Sequence, residues 1–214
     1  MQLDVAERPQ DIVAHGYDRS ADLFATWQRK ITGSTRLQRL DQLLALLPAQ
    51  PNVLELGCGA GVRSTRALAA RARLVGVDIS AEQVRRARKI VPNARFLQAD
   101  LTEIRFELCS FDAVVAFYVF NHVPREELGP LLERIAVWLR PRGHLLATFG
   151  ASDLPAWRGE WLGGVETFFS GYAPEVTVGL VREAGLEVLS DDLETIQEPE
   201  GPATFLWVLA SKHE

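Results

Sequence analysis

Residues 52–79 read NVLELGCGAG (52–61), VRSTRALAARAR (62–73) and LVGVDI (74–79), and this stretch decides the fold. Two apolar runs flank a segment of good helix formers. The pattern predicts a β-α-β unit with a glycine-rich turn at the end of its first strand. Gly57, Gly59 and Gly61 let the backbone bend sharply and let a ligand approach without meeting a Cβ. The start of the following helix offers N–H groups that have no partner within the helix. Asp78, at the end of the second strand, is placed to accept hydrogen bonds from two ribose hydroxyls.

Outward from that unit, the bulk numbers set limits. A chain of 214 residues predicts one α/β domain, and 47% hydrophobic with 24% charged residues fits a full core. The net charge is −5, and residues 183–200 carry carboxylates without a basic residue, which disfavours a nucleic-acid partner. Arg85, Arg86, Arg88 and Lys89 read as the solvated face of a helix. The two cysteines, Cys58 and Cys109, make no disulfide framework, and no metal-ligand spacing occurs. MQLDVAERPQ at the start lacks the pattern of a leader, and no apolar run approaches membrane-spanning length. The expectation is a cytoplasmic protein with no nucleic-acid or membrane partner and an open oligomeric state.

Along the chain, residues 1–19 have weak periodicity and 21–30, ADLFATWQRK, read as a short helix with Trp27 as packing. Leucines at 37, 40, 43, 44 and 47 mark a core-packing helix over 35–47. Ser80 and Gln83 fit a capping box for a helix ending before Pro92, and a third strand covers 95–101. Phe111–Tyr118 is apolar enough to be a strand buried on both faces. Its carboxyl end, with Phe117 and Tyr118, should lie at the ligand crevice. Pro124 opens a helix in which Pro130 implies a late start or a kink. The turn Arg140–Gly143 precedes strand 144–149, with Gly143 expected to supply an unusual backbone angle. Residues 150–172 break the pattern, with Trp157, Trp161, Phe168, Phe169 and Tyr172 among glycines. That segment reads either as a cover for substrate or as an aromatic cluster that packs the loop down. A helix over 174–184 and a hairpin of strands 186–196 and 203–210 complete the chain.

The loop Glu55-Leu56-Gly57-Cys58-Gly59-Ala60-Gly61 has the form E-x-G-x-G-x-G. A carboxylate at that strand end is a poor neighbour for a pyrophosphate and a good one for an ammonium group. With the downstream order, the chain resembles class I S-adenosylmethionine-dependent methyltransferases over roughly residues 35–210. The resemblance implies a Rossmann-like α/β fold: a seven-stranded, mostly parallel sheet of order 3-2-1-4-5-7-6, strand 7 antiparallel, with helices on both faces. It implies a single domain over 1–214, with a flap at 1–34 over the cofactor and a substrate-covering insertion at 150–173. The implied cofactor is S-adenosylmethionine, leaving S-adenosylhomocysteine. Implied cofactor contacts are Glu55, Gly57, Gly59, Gly61, Asp78, Ile79 and Phe117, with Asp100 and the Leu101 amide on adenine. Tyr17 is the candidate for the methionine carboxylate, or else a packing residue, and Asp100 is alternatively a turn cap. Tyr118, Trp157, Trp161 and Tyr172 are the substrate-side candidates. The Asn/Asp-Pro-Pro-Tyr segment of adenine- and glutamine-modifying relatives is missing after strand four.

The chemistry so implied is in-line methyl transfer to O, N or S of a small, partly apolar molecule. His122, just past strand four, is the candidate base, although a His-Val pair there is common in the family in a structural role. His15 and Asp153 are weaker alternatives. Two other readings stay open: a nicotinamide-dependent reductase, and a cofactor-binding module without turnover.

Overall fold

The computed structural model describes residues 7–214; the first six residues of the expected flap lie outside the described residues. The chain runs α1 (Pro9–Gln28), α2 (Arg36–Leu46), β1 (Asn52–Leu56), α3 (Ser64–Ala69), β2 (Arg73–Asp78), α4 (Ala81–Ile90) and β3 (Arg95–Gln98). It continues β4 (Phe111–Ala116), α5 (Arg125–Trp138), β5 (Leu139–Gly150), β6 (Leu154–Trp161), β7 (Val165–Gly171), α6 (Pro174–Glu183), β8 (Leu186–Glu198) and β9 (Gly201–Lys212). Seven strands form one sheet in the order β3-β2-β1-β4-β5-β9-β8. The first five run parallel, and β9 is antiparallel to both neighbours. With the β6–β7 pair set apart in its own small sheet, this is the expected order with a terminal antiparallel hairpin.

The strand pattern explains why helices cover both faces. Leu54 and Leu56 of β1, with Val114 and Ala116 of β4, meet α5 and α6 through Leu131, Leu132, Ile135 and Val181. The alternate residues Val53, Ala113 and Val115 meet α2, α3 and α4 through Leu40, Leu43, Leu68 and Val84. The period of two sends successive side chains to opposite layers, so both layers must be apolar. The crevice at the carboxyl ends of β1, β2 and β4 follows from this topology.

Several local expectations change. The N-terminal helix is 20 residues long and begins at Pro9, well ahead of the short helix expected from residue 21. Its buried stripe includes Gln10, Gly16, Ser20 and Ala21, small or polar residues that a hydropathy pattern does not register. Asp18 on α1 accepts from Ser80 Oγ (2.5 Å) and Glu82 N (3.0 Å), tying α1 to the start of α4. The Ser80 cap is formed, with Gln83 N donating to its hydroxyl at 3.1 Å. Helix α3 spans only six residues, not the whole of 62–73. Pro130 sits inside an unbroken α5. At the expected turn 140–143, which falls inside the first residues of β5, the left-handed residue is Arg142 (φ 63°), not Gly143. Gly143 is required for space: a Cβ there would lie 2.9 Å from the Arg140 carbonyl oxygen. The aromatic segment after β5 is not an irregular loop. It folds back as the β6–β7 hairpin, turning at Gly163 and Gly164, and β7 lies against α1. Among the described residues no helix is long and apolar enough to cross a membrane.

At Gly16, α1 and β7 approach closely. A Cβ there would stand 2.6 Å from the Glu166 carbonyl oxygen. A glycine-to-alanine change inside a helix ordinarily stabilises by up to about 1 kcal/mol. At Gly16 the sign should reverse: Gly16→Ala should destabilise by about 1–2 kcal/mol in urea unfolding. A gain in stability would show that α1 does not seat on β7 in this way.

Candidate active site

The main cavity opens at the carboxyl ends of β1, β2 and β4, beneath a roof made by α1 and the β6–β7 hairpin. Its floor is the glycine loop. Gly57 N and Cys58 N both donate to the Val77 carbonyl, at 2.8 and 3.0 Å, so the loop is strapped to the end of β2. The glycines act differently. A Cβ on Gly57 would meet Val119 at 2.5 Å, and one on Gly61 would meet Ala87 Cα of α4 at 2.9 Å. Gly61 is therefore a packing residue away from the cavity wall, while Gly57 and Gly59 line it. Gly59 donates its N–H to Asp78 Oδ2 at 2.8 Å.

Asp78 is held on its other oxygen by Ser80 N, at 3.0 Å. Both oxygens are thus oriented by backbone amides, and each keeps acceptor capacity toward the cavity. Burial pushes its carboxyl up to about 6, against the backbone amides of Ser80, Gly59 and Ile79. Ile79 lies beside it on the wall. Asp100 accepts from Thr102 N (2.8 Å) and Thr102 Oγ1 (2.7 Å) on one oxygen, which is the turn-cap role, while Oδ2 is buried without a partner. Leu101 follows it on the wall. Glu55 is 2% exposed, accepts from Ser64 Oγ at 3.0 Å, and leaves Oε2 without a partner. Burial pushes its carboxyl up to about 7. Gln83 Nε2 and Asn121 Oδ1, both on cavity-lining residues, are likewise buried without partners. Unpartnered buried polar atoms are costly, and these four belong to residues that line the cavity, where a polar ligand would satisfy them.

Phe117 and Tyr118 both line the cavity at the end of β4. Tyr118 has φ 57°, and its N–H is fixed by Thr148 Oγ1 at 2.5 Å. Stacked on these rings is Arg36, whose guanidinium carbon lies 4.4 Å from the Tyr118 centroid and 5.6 Å from that of Phe117. Burial pushes Arg36 down, and Tyr118 and Glu55 oppose that shift. Arg36 opens what sequence periodicity marks as a core-packing helix, so no pattern singled it out.

The roof carries the second group of residues. Tyr17 Oη lies 2.8 Å from His122 Nε2, and His122 Nδ1 lies 2.9 Å from the Phe168 carbonyl. A carbonyl only accepts, so Nδ1 holds the proton and Nε2 accepts from the tyrosine hydroxyl. Burial pushes His122 down to about 4, which keeps the imidazole neutral. Tyr17 is pushed well above its ordinary value by burial, then by the negative fields of Asp78 and Glu198. Phe24, Trp27, Trp161 and Phe169 continue the aromatic surface. Trp161 packs edge-on to Trp27, with centroids 5.3 Å apart. Residues 17, 24 and 27 share a face once α1 is recognised as one helix, a spacing present in the sequence.

Trp157 and Tyr172 fall outside the cavity wall. Trp157 lies over Gly159 of its own strand and beside Phe169, and Tyr172 packs into the core under Arg125. His15 is exposed beside Glu7, and Asp153 pairs with Arg125 at 2.9 Å, so neither reaches the cavity. Among the described residues no cluster of His, Cys, Asp and Glu has the makings of a metal site.

Residues 53–143 match the family model described as methyltransferase domain. The biotin biosynthesis bifunctional protein BioCD of Bordetella avium is 33% identical over 162 residues, covering 70% of this chain and 32% of that protein. The chain thus spans about a third of that relative's length. An uncharacterized methyltransferase of Oceanobacillus iheyensis is 24% identical over 184 residues, 81% of this chain and 79% of the relative. In fold, the chain is similar to magnesium protoporphyrin IX methyltransferase of Synechocystis PCC 6803, solved with bound SAM. The TM-score is 0.70 at 18% identity, over 98% of this chain and 100% of that one.

The buried carboxylate of Glu55 generates a stability prediction. Its ordinary value is 4.5 and its folded value about 7, so the folded state holds this proton more tightly than the unfolded state does. The stabilisation is full below pH 4.5 and is lost as pH rises to about 7. Glu55→Gln removes this dependence. Between pH 5 and pH 8 the stability difference should shift in favour of the variant by about 2 kcal/mol in ligand-free urea unfolding. Parallel curves would mean that Glu55 titrates as an ordinary carboxylate.

Proposed function

We propose that this chain, which carries a class I methyltransferase domain on the matching seven-stranded fold, transfers a methyl group from S-adenosylmethionine to a small, partly apolar molecule. The observation that supports this best is the pair of buried, unpartnered carboxylate oxygens on the cavity wall, Glu55 Oε2 and Asp100 Oδ2, with the Arg36 guanidinium on the same cavity, stacked on Phe117 and Tyr118. They correspond in kind to the groups of one ligand. Glu55 and the loop suit an ammonium, Arg36 a carboxylate, Asp78 two ribose hydroxyls, and Asp100 with the Leu101 amide an adenine edge. A nicotinamide dinucleotide fits less well, because an ionised Glu55 beneath the loop would repel a pyrophosphate.

S-adenosylmethionine supplies an electrophilic methyl on a sulfonium, and the electron pair of the broken C–S bond stays on sulfur. The chain's part is to align, to desolvate and to take up a proton. Phe24, Trp161 and Phe169 exclude water and present aromatic faces to a cationic centre. Tyr17 is the group within reach of a nucleophile's proton, because Nε2 of His122 is already engaged by its hydroxyl. As the nucleophile gives its proton to Tyr17 Oη, Tyr17 passes its own to His122 Nε2, and the Phe168 carbonyl steadies the imidazolium. In this reading His122 acts through Tyr17, and the tyrosine proton goes to the imidazole in place of a methionine carboxylate.

Calorimetry with S-adenosylmethionine, S-adenosylhomocysteine, NADH and NADPH tests the cofactor. The sulfonium compound and its product should bind, the nicotinamides should not, and Asp78→Ala should weaken S-adenosylhomocysteine at least about ten-fold. Binding of a nicotinamide alone would overturn the reading. The dyad is tested by Tyr17→Phe. With a protonated acceptor, kcat should fall about 10²-fold while S-adenosylhomocysteine affinity stays within about two-fold. A loss confined to cofactor affinity would return Tyr17 to the methionine carboxylate.

A further inference from the structure

Five charged side chains line the cavity among the described residues: Arg36, Glu55, Asp78, Asp100 and Glu198. The cofactor assigned above accounts for the first four. Glu198 is left over, at the last residue of β8 beside the β8–β9 turn.

Its placement is fixed by its neighbours. Gln197 exchanges backbone hydrogen bonds with Thr32, at 3.1 and 3.0 Å, and Glu200 accepts from Trp27 Nε1 at 2.7 Å. These two contacts clamp the β8–β9 turn to the end of α1 and hold Glu198 between them, on the cavity wall with Trp27 and Phe24. Phe24 and Trp27 are stacked, with centroids 5.8 Å apart. Burial and the neighbouring Glu200 raise the Glu198 carboxyl, and no basic group offsets them. Glu198 thus shares the cavity wall with Phe24 and Trp27, and among the described residues no basic side chain pairs with it. Aromatic faces and a carboxylate together favour a cation and disfavour an anion.

We infer that Glu198, Trp27 and Phe24 form the subsite for a cationic amine carried on the apolar body of the methyl acceptor. The subsite sets which molecules enter; it does not decide which of their atoms is methylated. This rests on the methyltransferase reading, because that reading removes the other four charges from the substrate's side.

The probes are 3-phenylpropylamine, 3-phenylpropanol and 3-phenylpropanoate, which share one body and differ in the terminal group. Each is titrated calorimetrically into the protein saturated with S-adenosylhomocysteine. The amine should bind at least about ten-fold more tightly than the alcohol, and the carboxylate most weakly. Glu198→Gln should erase the amine's advantage without changing alcohol or S-adenosylhomocysteine affinity. Equal binding of the three, preference for the carboxylate, binding of none, or an unchanged advantage in the variant would each overturn the subsite. If S-adenosylhomocysteine does not bind in the first place, it is the methyltransferase reading that fails. A circular-dichroism melt of Glu198→Gln separates misfolding from loss of the charge, and Glu198→Asp should keep part of the advantage if the charge is what matters.

Discussion

The closure of the glycine loop onto the end of β2 is the constraint on which the rest of the site depends. Two amides of the loop share the Val77 carbonyl, and a third, from Gly59, is held by Asp78. These hydrogen bonds turn the chain through a conformation that a side chain at Gly57 would block against Val119. They also fix Asp78 without consuming its outer lone pairs. A loop that opened would lose the floor of the cavity and the orientation of Asp78 together. The close fit of Gly61 on Ala87 then holds α4 against the loop, and the Ser80 cap sets where α4 starts. One local folding event therefore fixes a strand end, a helix start and a carboxylate.

Placing Glu55, Asp78 and Asp100 in this crevice works against stability in the ligand-free protein. Burial raises Glu55 and Asp78, which means the folded state resists their ionisation. Arg36 offsets only part of this, and its own charge is disfavoured in the same way. A ligand that brings complementary charge and hydroxyl groups relieves these costs on binding. Affinity and the cost of burying these carboxylates then share one origin, a common pattern in functional sites.

The sheet was legible in the sequence because its signals are strong and local. Continuous apolar character in Phe111–Ala116, the glycine turn after Leu56 and the carboxylate at Asp78 each follow from a single run of residues. What could not be read depended on contacts between distant segments. The length of α1 was hidden because its buried stripe uses Gly16 and Ser20, whose burial makes sense only against β7. Arg36 was hidden because a cation that starts a leucine-faced helix ordinarily points to solvent. The aromatic segment was recognised by composition but not as a hairpin, since its strand pairing is set by the helix it covers. Trp157 and Trp161 carry the same side chain four residues apart, yet only Trp161 reaches the cavity.

The roof and the Tyr17–His122 pair of the proposed proton path are built from the same contact. Tyr17 and Gly16 are consecutive on α1: Gly16 allows the approach to β7, and Tyr17 meets His122, whose other nitrogen is bonded to β7 at Phe168. Docking of α1 on the hairpin is therefore what brings hydroxyl, imidazole and carbonyl into line. If α1 lifted, water would enter the cavity and Tyr17 would lose its acceptor in the same step. Exclusion of water and assembly of the dyad are thus one event, so a half-closed protein would have neither. In the proposed reaction, that coupling would keep water from the cofactor while the dyad is assembled.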